Sequence, residues 1–255
     1  MKEIPILAYH KISPQFEFGL TTISPKSFEK QMEFLQQKGY VGCSLRDYLQ
    51  DPQQNKFVIT FDDAYENIYQ YALPILNKLG FTASIFVIVN FIGKYNSWDV
   101  NLFGIKFKHA TQSQLQKLCD SNWEICSHSL SHKALINLTN EQIVNEIKNS
   151  KIDLDKMFNV KIDSFGFPFG YYNRSIIKIL KEHGYKNGVS FTNNFKNEIP
   201  VYGRMGVYKF VDWKRSVYFK INKQHPLNFF ETLKGKIIHS GSYLTVLYQK
   251  ILGKS

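Results

Sequence analysis

The chain has 255 residues, a length typical of one domain, and 44% of them are hydrophobic, which is enough for a sizeable core. A net charge of +11 indicates either a basic surface or an anionic partner, such as nucleic acid, a membrane surface or a glycan carrier. Three cysteines without CxxC spacing do not fit a disulfide framework, and no apolar run reaches the roughly 18 residues of a transmembrane helix. The N-terminus lacks the apolar core of a signal peptide, so we expect a cytoplasmic protein.

Strands and helices alternate along the predicted chain. In order, they are a strand at 4–9, a helix at 25–39, a strand at 57–61, a helix at 66–79, a strand at 81–89, a helix at 112–119, a strand at 123–126, a helix at 139–158, a strand at 164–167, a helix at 174–183 and a strand at 188–192. This alternation predicts an α/β fold with a mostly parallel sheet that closes like a barrel. We expect one domain over 1–215, followed by a tail of different character over 216–255.

Two pairs of polar residues lie where predicted strands end. Asp62 and Asp63 follow a buried strand, and adjacent like charges there need a cation, a proton or a ligand to offset their repulsion. His128 and His132, four residues apart in SHSLSH, bring two imidazoles to one side of a turn. Two imidazoles and a carboxylate are the ligand set of a catalytic zinc or related metal, and a second carboxylate beside it can serve as a base. HxxxH spacing alone arises by chance, so this prediction depends on both pairs ending strands of one sheet.

Three motifs resemble those of polysaccharide deacetylases of the NodB-homology type, carbohydrate esterase family 4. They are TFDD at 60–63, HSLSH at 128–132 and FPFG at 167–170. The resemblance covers residues 4–210 and implies a distorted or incomplete (β/α) barrel. It also implies a metal-dependent enzyme that hydrolyses the acetamide of an N-acetylated sugar, in a polysaccharide or in a lipid-linked glycan.

The same resemblance assigns roles to the residues of these motifs. It implies that Asp62 is the general base. It also implies that Asp63, His128 and His132 bind a divalent metal, with zinc as the first choice. The third motif forms one wall of the family's substrate groove, which implies contacts to substrate from a run of residues: Phe167, Pro168, Phe169, Gly170 and Tyr171. The backbone N–H of Phe169 is expected to stabilise the oxyanion.

The chain departs from the common family pattern at two places. Gly166 stands where the family often carries an arginine that orients the catalytic acid. The first strand ends in Tyr9-His10, as in the branch that deacetylates poly-N-acetylglucosamine and exopolysaccharides, which implies His10 as the general acid. GRMGVY at 203–208 also resembles that branch and adds Arg204 to the expected substrate-binding residues. His239, in GKIIHSG, is the alternative acid, whereas the remaining histidines are predicted to lie at the surface: His109, His183 and His225.

Other interpretations stay open from the sequence. The basic amphipathic tail over 216–255 can lie on an anionic membrane surface, which would favour a lipid-linked sugar at the inner membrane, or it can pack on the barrel. A catalytically silent glycan-binding module on the same fold is the alternative function, although the intact acid and histidine pairs favour catalysis. No nucleic-acid partner is expected, because the lysines are scattered and no binding motif appears.

Overall fold

The computed structural model describes residues 4–15, 17, 20–97, 106–191 and 198–209. Its strands are β1 (Ile6–Tyr9), β2 (Lys11–Ile12), β3 (Thr22–Ile23), β4 (Val41–Cys43), β5 (Lys56–Phe61), β6 (Ser84–Val87), β7 (Glu124–Ser127), β8 (Ser164–Gly166), β9 (Asn187–Ser190), β10 (Val201–Gly203) and β11 (Met205–Gly206). Its α-helices are α1 (Pro25–Gln37), α2 (Leu45–Gln50), α3 (Leu73–Leu79), α4 (Gln112–Asp120), α5 (Asn140–Phe158) and α6 (Arg174–Glu182). None of the helices in these ranges is both long and apolar enough to cross a membrane.

The main sheet is parallel and nearly closes on itself. Its strand order is β10-β9-β8-β7-β6-β5-β1-β11, with β4 paired to the start of β5. The strands at the two ends of this order, β10 and β11, are neighbours in sequence with Arg204 between them. One extended segment therefore pairs first with β9 and then with β1, which closes the barrel. The predicted (β/α) barrel is confirmed, and its seam lies at Arg204.

Helix caps follow the sequence signals. The side chains of Ser24, Thr111 and Thr139 accept backbone N–H groups at the starts of α1, α4 and α5. Gly80 ends α3 in the left-handed conformation that glycine adopts at low cost. Serine and threonine are common N-cap residues and glycine is a common residue at helix ends, so the residue types at these positions explain the caps.

The predicted helix at 66–79 is divided in two. A wide turn of the π type covers Ile68–Ala72, in which the N–H of Leu73 donates to the Ile68 carbonyl, and α3 follows. Pro74 has no N–H to give to the preceding turn, so a regular α-helical ladder cannot run through this point. The sequence also gave no signal for β4 and α2, which are too short to show a clear hydrophobic period.

Two apolar clusters divide the core. The inner cluster contains Ile6, Leu45, Val58, Phe86, Cys126 and Val189, which come from five strands and α2. The larger cluster fills the layer between sheet and helices. Because side chains alternate along a strand, Thr60 and Asp62 continue the inner row begun by Val58. Asp62 is thereby placed at the carboxyl mouth of the barrel.

Candidate metal centre and active site

Asp63, His128 and His132 form a buried cluster at the carboxyl end of the sheet. One ligand atom from each lies within 4.8 Å of the others. The Nε2 atoms of His128 and His132 are 3.6 and 3.4 Å from Oδ1 of Asp63. The carboxylate faces both imidazoles, so one ion could bind all three.

Asp63 leaves the end of β5 on an unusual backbone. Its φ is 66°, and that of Ala64 is 52°, so two successive residues other than glycine are left-handed. Such conformations are sterically unfavourable and persist where surrounding contacts hold them, often at functional sites. The turn directs Asp63 toward the histidines, while Asp62 still follows the alternation of the strand.

A buried acid on a helix holds the histidine loop in place. Glu146 of α5 accepts the backbone N–H groups of Leu130 and Ser131, each at 2.9 Å. Ser129 Oγ accepts the N–H of His132 at 3.0 Å. The serines beside the histidines therefore shape the loop, and Glu146 supports it. No local pattern predicts this role for Glu146, because acids on helices usually face solvent.

The protonation of the histidines suits a metal. The Nδ1 atom of His128 lies 2.8 Å from the Gly166 carbonyl, so it carries the proton and leaves Nε2 free to face Asp63. Burial lowers the pKa of His128 and lowers that of His132 well below the usual value. Two neutral imidazoles with a carboxylate fit a divalent ion of the zinc type.

Asp62 is bound by an arginine. Arg204 donates from Nη1 to Oδ1 at 2.6 Å and from Nη2 to Oδ2 at 2.8 Å. Burial alone would raise the pKa of Asp62, but Arg204, with smaller effects of His128 and His10, holds it at about 2. Asp62 is thus an ionised carboxylate beside the cluster.

Arg204 is buried against Asp62, and its predicted contact with substrate stays a prediction. It is 5% exposed, and its guanidinium also lies over the rings of Phe86 and Phe191. A Cβ at Gly166 would come within 2.9 Å of His128 Nδ1, so a side chain cannot fit there. The barrel seam supplies at 204 the arginine that is absent at 166.

His10 lies next to Asp62 at the mouth of the barrel. Its Nε2 is 3.8 Å from Asp62 Oδ2, and its side chain is 21% exposed. Its Nδ1 has no hydrogen-bond partner among the described residues. Burial lowers the pKa of His10 to about 4, although Asp62 acts against this shift, so His10 is neutral at pH 7. His239, the alternative acid, lies outside the described residues.

The FPFG segment borders the cluster with one side chain. Phe169, at a φ of 59°, lies edge-on to His132 with ring centroids 4.6 Å apart and is partly exposed, as is Tyr171. Phe167 is instead buried in the outer core and stacks on Tyr172. Pro168 and Gly170 are buried as well. Contact with substrate stays a prediction for the whole run from Phe167 to Tyr171, in which Phe169 and Tyr171 are the partly exposed residues.

His109 is buried, and the prediction of a surface position for it is wrong. It is 1% exposed, stacks on Tyr65 at 4.7 Å, and its Nδ1 lies 2.6 Å from the Asp63 carbonyl. Burial lowers its pKa to about 4. The sequence around it, FKHATQ, carries no site signal, so its position depends on the loop that covers the turn at Asp63. His183 is partly exposed, and His225 lies outside the described ranges.

Family comparison agrees with the geometry. The polysaccharide deacetylase family model matches residues 50–188, over half of the chain, and the chain belongs to that family. The Bacillus subtilis protein YxkH, whose name places it among the polysaccharide deacetylases, is 32% identical over 194 residues, covering 74% of this chain and 64% of its own. A poly-β-1,6-N-acetyl-D-glucosamine N-deacetylase of Staphylococcus aureus is 26% identical over 176 residues, covering 66% of this chain and 61% of its own. The chain thus spans less than two thirds of the length of these curated relatives.

Solved structures share the fold. The Streptococcus pyogenes deacetylase PplD, determined in complex with acetate, superposes with a TM-score of 0.72 at 23% identity, over 88% of this chain and 99% of that one. IcaB from Ammonifex degensii gives the same TM-score at 19% identity, over 86% of this chain and 97% of that one. At these identities the likeness establishes the fold, and the chemistry must be argued from the site.

Proposed function

We propose that the chain is a metal-dependent deacetylase that hydrolyses the N-acetyl group of an N-acetylated sugar in a polysaccharide. The observation that carries this proposal is the buried Asp63, His128 and His132 cluster with an ionised, arginine-bound Asp62 beside it. An oligomer of β-1,6-linked N-acetylglucosamine is the first substrate to test, because the Staphylococcus aureus relative is named for that polymer.

Hydrolysis of an acetamide makes three demands on the site. The attacking water must lose a proton, the oxyanion must be stabilised and the departing amine must gain a proton. A divalent metal at Asp63, His128 and His132 would supply Lewis acidity, and zinc fits these donors. The protein's own groups have to meet the proton transfers.

Asp62 is the base in this proposal. Each of its oxygens accepts one bond from Arg204 and keeps a further lone pair, so the carboxylate can take a proton from water without losing its orientation. Arg204 acts through Asp62 by keeping it ionised at neutral pH. The expected oxyanion donor is the backbone N–H of Phe169, next to the cluster.

His10 is the proposed acid, because its Nε2 faces Oδ2 of Asp62 at the mouth of the barrel. At pH 7 it is a neutral imidazole, so it must gain a proton before it can act as an acid. The proton that Asp62 takes from water can reach His10 through one bridging water, because the 3.8 Å between Asp62 Oδ2 and His10 Nε2 is longer than a direct hydrogen bond. The imidazolium then protonates the leaving amine.

The lipid-linked substrate and a peripheral position at the inner membrane stay predictions from the sequence of residues 216–255. They can be tested by measuring the release of amine from two kinds of substrate. A lipid-linked N-acetylhexosamine and the free sugar oligomer would be compared with and without vesicles of anionic lipid. The full chain would also be compared with a variant that lacks residues 216–255. If only the full chain deacetylates the lipid-linked sugar faster than the free oligomer, the membrane interpretation is favoured.

The decisive experiment measures zinc content and amine release from N-acetylglucosamine oligomers on the same purified protein. We expect about one zinc per chain and amine release that a chelator removes and zinc restores. Zinc binding and oligomer binding without any amine release would favour the glycan-binding module instead. Asp62→Asn is the matched control, because it should retain metal and fold.

A further inference from the structure

The segment 106–110 crosses the turn that carries the proposed metal ligand Asp63. The N–H of Glu66 donates to the Lys108 carbonyl at 2.9 Å, and the N–H of Ala110 donates to the Ala64 carbonyl at 2.8 Å. Tyr65 and His109 pair in antiparallel fashion between these bonds. A short ladder therefore fastens this segment to the left-handed turn.

His109 completes the ladder through its side chain. Its Nδ1 lies 2.6 Å from the carbonyl oxygen of Asp63. A carbonyl can only accept, so Nδ1 carries the proton and donates it. The carbonyls of both left-handed residues, Asp63 and Ala64, are thus bound by neighbouring residues of one segment.

The ring of His109 has little freedom to move. It stacks on Tyr65 with centroids 4.7 Å apart and an interplanar angle of 23°, and Phe91 packs on it at 5.4 Å. Its Nε2 is buried and has no hydrogen-bond partner among the described residues. Within the described ranges, the hydrogen bond of this ring is therefore the one to the Asp63 backbone.

We propose that His109 is a positioning residue for the metal site, which holds the Asp63 backbone in the left-handed conformation that aims its carboxylate at His128 and His132. The carbonyl and the side chain of Asp63 branch from the same Cα, so a fixed carbonyl fixes the direction in which the side chain leaves the backbone. This role rests on the proposed metal-dependent function. The test of the role measures zinc affinity and does not require activity. Groups that orient metal ligands typically change metal affinity 10–100-fold when they are lost.

Two substitutions separate the hydrogen bond from the packing. His109→Asn places an amide N–H near the position of Nδ1 but lacks the ring, whereas His109→Phe keeps a ring that can stack on Tyr65 but has no donor. The zinc affinity of each variant would be measured by competition with a chromophoric chelator. We expect His109→Phe to bind zinc about 10–100-fold more weakly and His109→Asn to stay near wild type.

His109→Gln is the matched polar control, because its amide N–H lies one bond farther out, near the position of Nε2. We expect it to lose zinc affinity as His109→Phe does, and this comparison stands even if the phenylalanine variant does not fold. Wild-type affinity in all variants, or a loss in His109→Asn as large as that in His109→Gln, would overturn the proposal. Failure of the wild-type protein to bind zinc would instead refute the proposed function.

Discussion

Two buried carboxylates lie at opposite ends of the barrel, and their surroundings differ in kind. Glu124, which begins β7, is 6% exposed and accepts bonds from Ser164 Oγ at 2.8 Å, Ser84 Oγ at 2.6 Å and the Arg46 N–H at 2.9 Å. Asp62, just beyond the end of β5, is bound by the guanidinium of Arg204. Fixed hydroxyls and an amide satisfy the first carboxylate, and a cation satisfies the second.

The difference separates a structural carboxylate from the proposed base. The donors to Glu124 are neutral, and they tie together the amino ends of three strands and α2. Asp62 has a cationic partner, a neighbouring histidine at 3.8 Å and a proposed metal site beside it. Burial alone therefore does not mark a catalytic acid, and the proposed role of Asp62 depends on its position beside the cluster of Asp63, His128 and His132.

The largest effect should come from removing a proposed metal ligand or the base. Asp63→Ala and His128→Ala should lose both bound zinc and turnover, because two ligands cannot hold the ion well. Asp62→Asn should abolish turnover while it keeps the zinc, since Asp62 is not a ligand. Zinc content and amine release are measured on the same samples. Loss of zinc from Asp62→Asn as complete as that from Asp63→Ala would show that the roles of the two acids are wrongly divided.

His10→Ala should lower turnover by about 10²–10⁴, the usual contribution of a positioned acid, with zinc content and fold unchanged. His239→Ala is the control and should have little effect. Steady-state kinetics of both variants decides between the two histidines. Near-normal turnover in His10→Ala with a large loss in His239→Ala would assign the acid to the C-terminal segment.

Arg204→Met should shift the acid limb of the kcat/KM profile, and it should have a smaller effect on kcat/KM at high pH. Without the guanidinium, burial raises the pKa of Asp62, and an opposite charge at this distance typically accounts for about 1–3 pKa units. Since the base acts when ionised, the acid limb of kcat/KM should move to higher pH by that amount. Arg204→Lys, which keeps the charge without the fork, should move it less. An unchanged acid limb in Arg204→Met would mean that the arginine does not control Asp62.

The smallest effect on activity should come from Glu124→Gln. The substituted NH2 cannot accept the bonds that one oxygen of Glu124 receives, so unfolding should become easier by about 1–3 kcal/mol. Turnover per folded molecule should stay unchanged, because this end of the barrel is remote from the proposed site. Denaturant unfolding and kinetics on one preparation test both halves of the statement. A turnover loss comparable to that of His10→Ala would remove the distinction between the two carboxylates.

The sequence by itself determined the parts of this protein that depend on local pattern. The helices α1, α4, α5 and α6 follow from apolar periodicity and their caps, and the alternation of elements predicted a parallel barrel. The Asp62–Asp63 and His128–His132 pairs were identified because adjacent acids and HxxxH spacing are local features of strand ends. The cluster formed by Asp63 and the two histidines agrees with that prediction.

Only the tertiary structure decided which distant residues support the site. Arg204 reaches Asp62 across 142 positions because the seam of the barrel joins the last strands to the first, and no local pattern records that closure. His109 is buried because the segment around it pairs with a left-handed turn. Glu146 is buried because the histidine loop folds over its helix and donates two backbone N–H groups to it. Such partners are chosen by hydrogen bonds that exist after the chain has folded. The GRMGVY resemblance therefore pointed to Arg204 without revealing its bond to Asp62, and His109 and Glu146 carried no local signal.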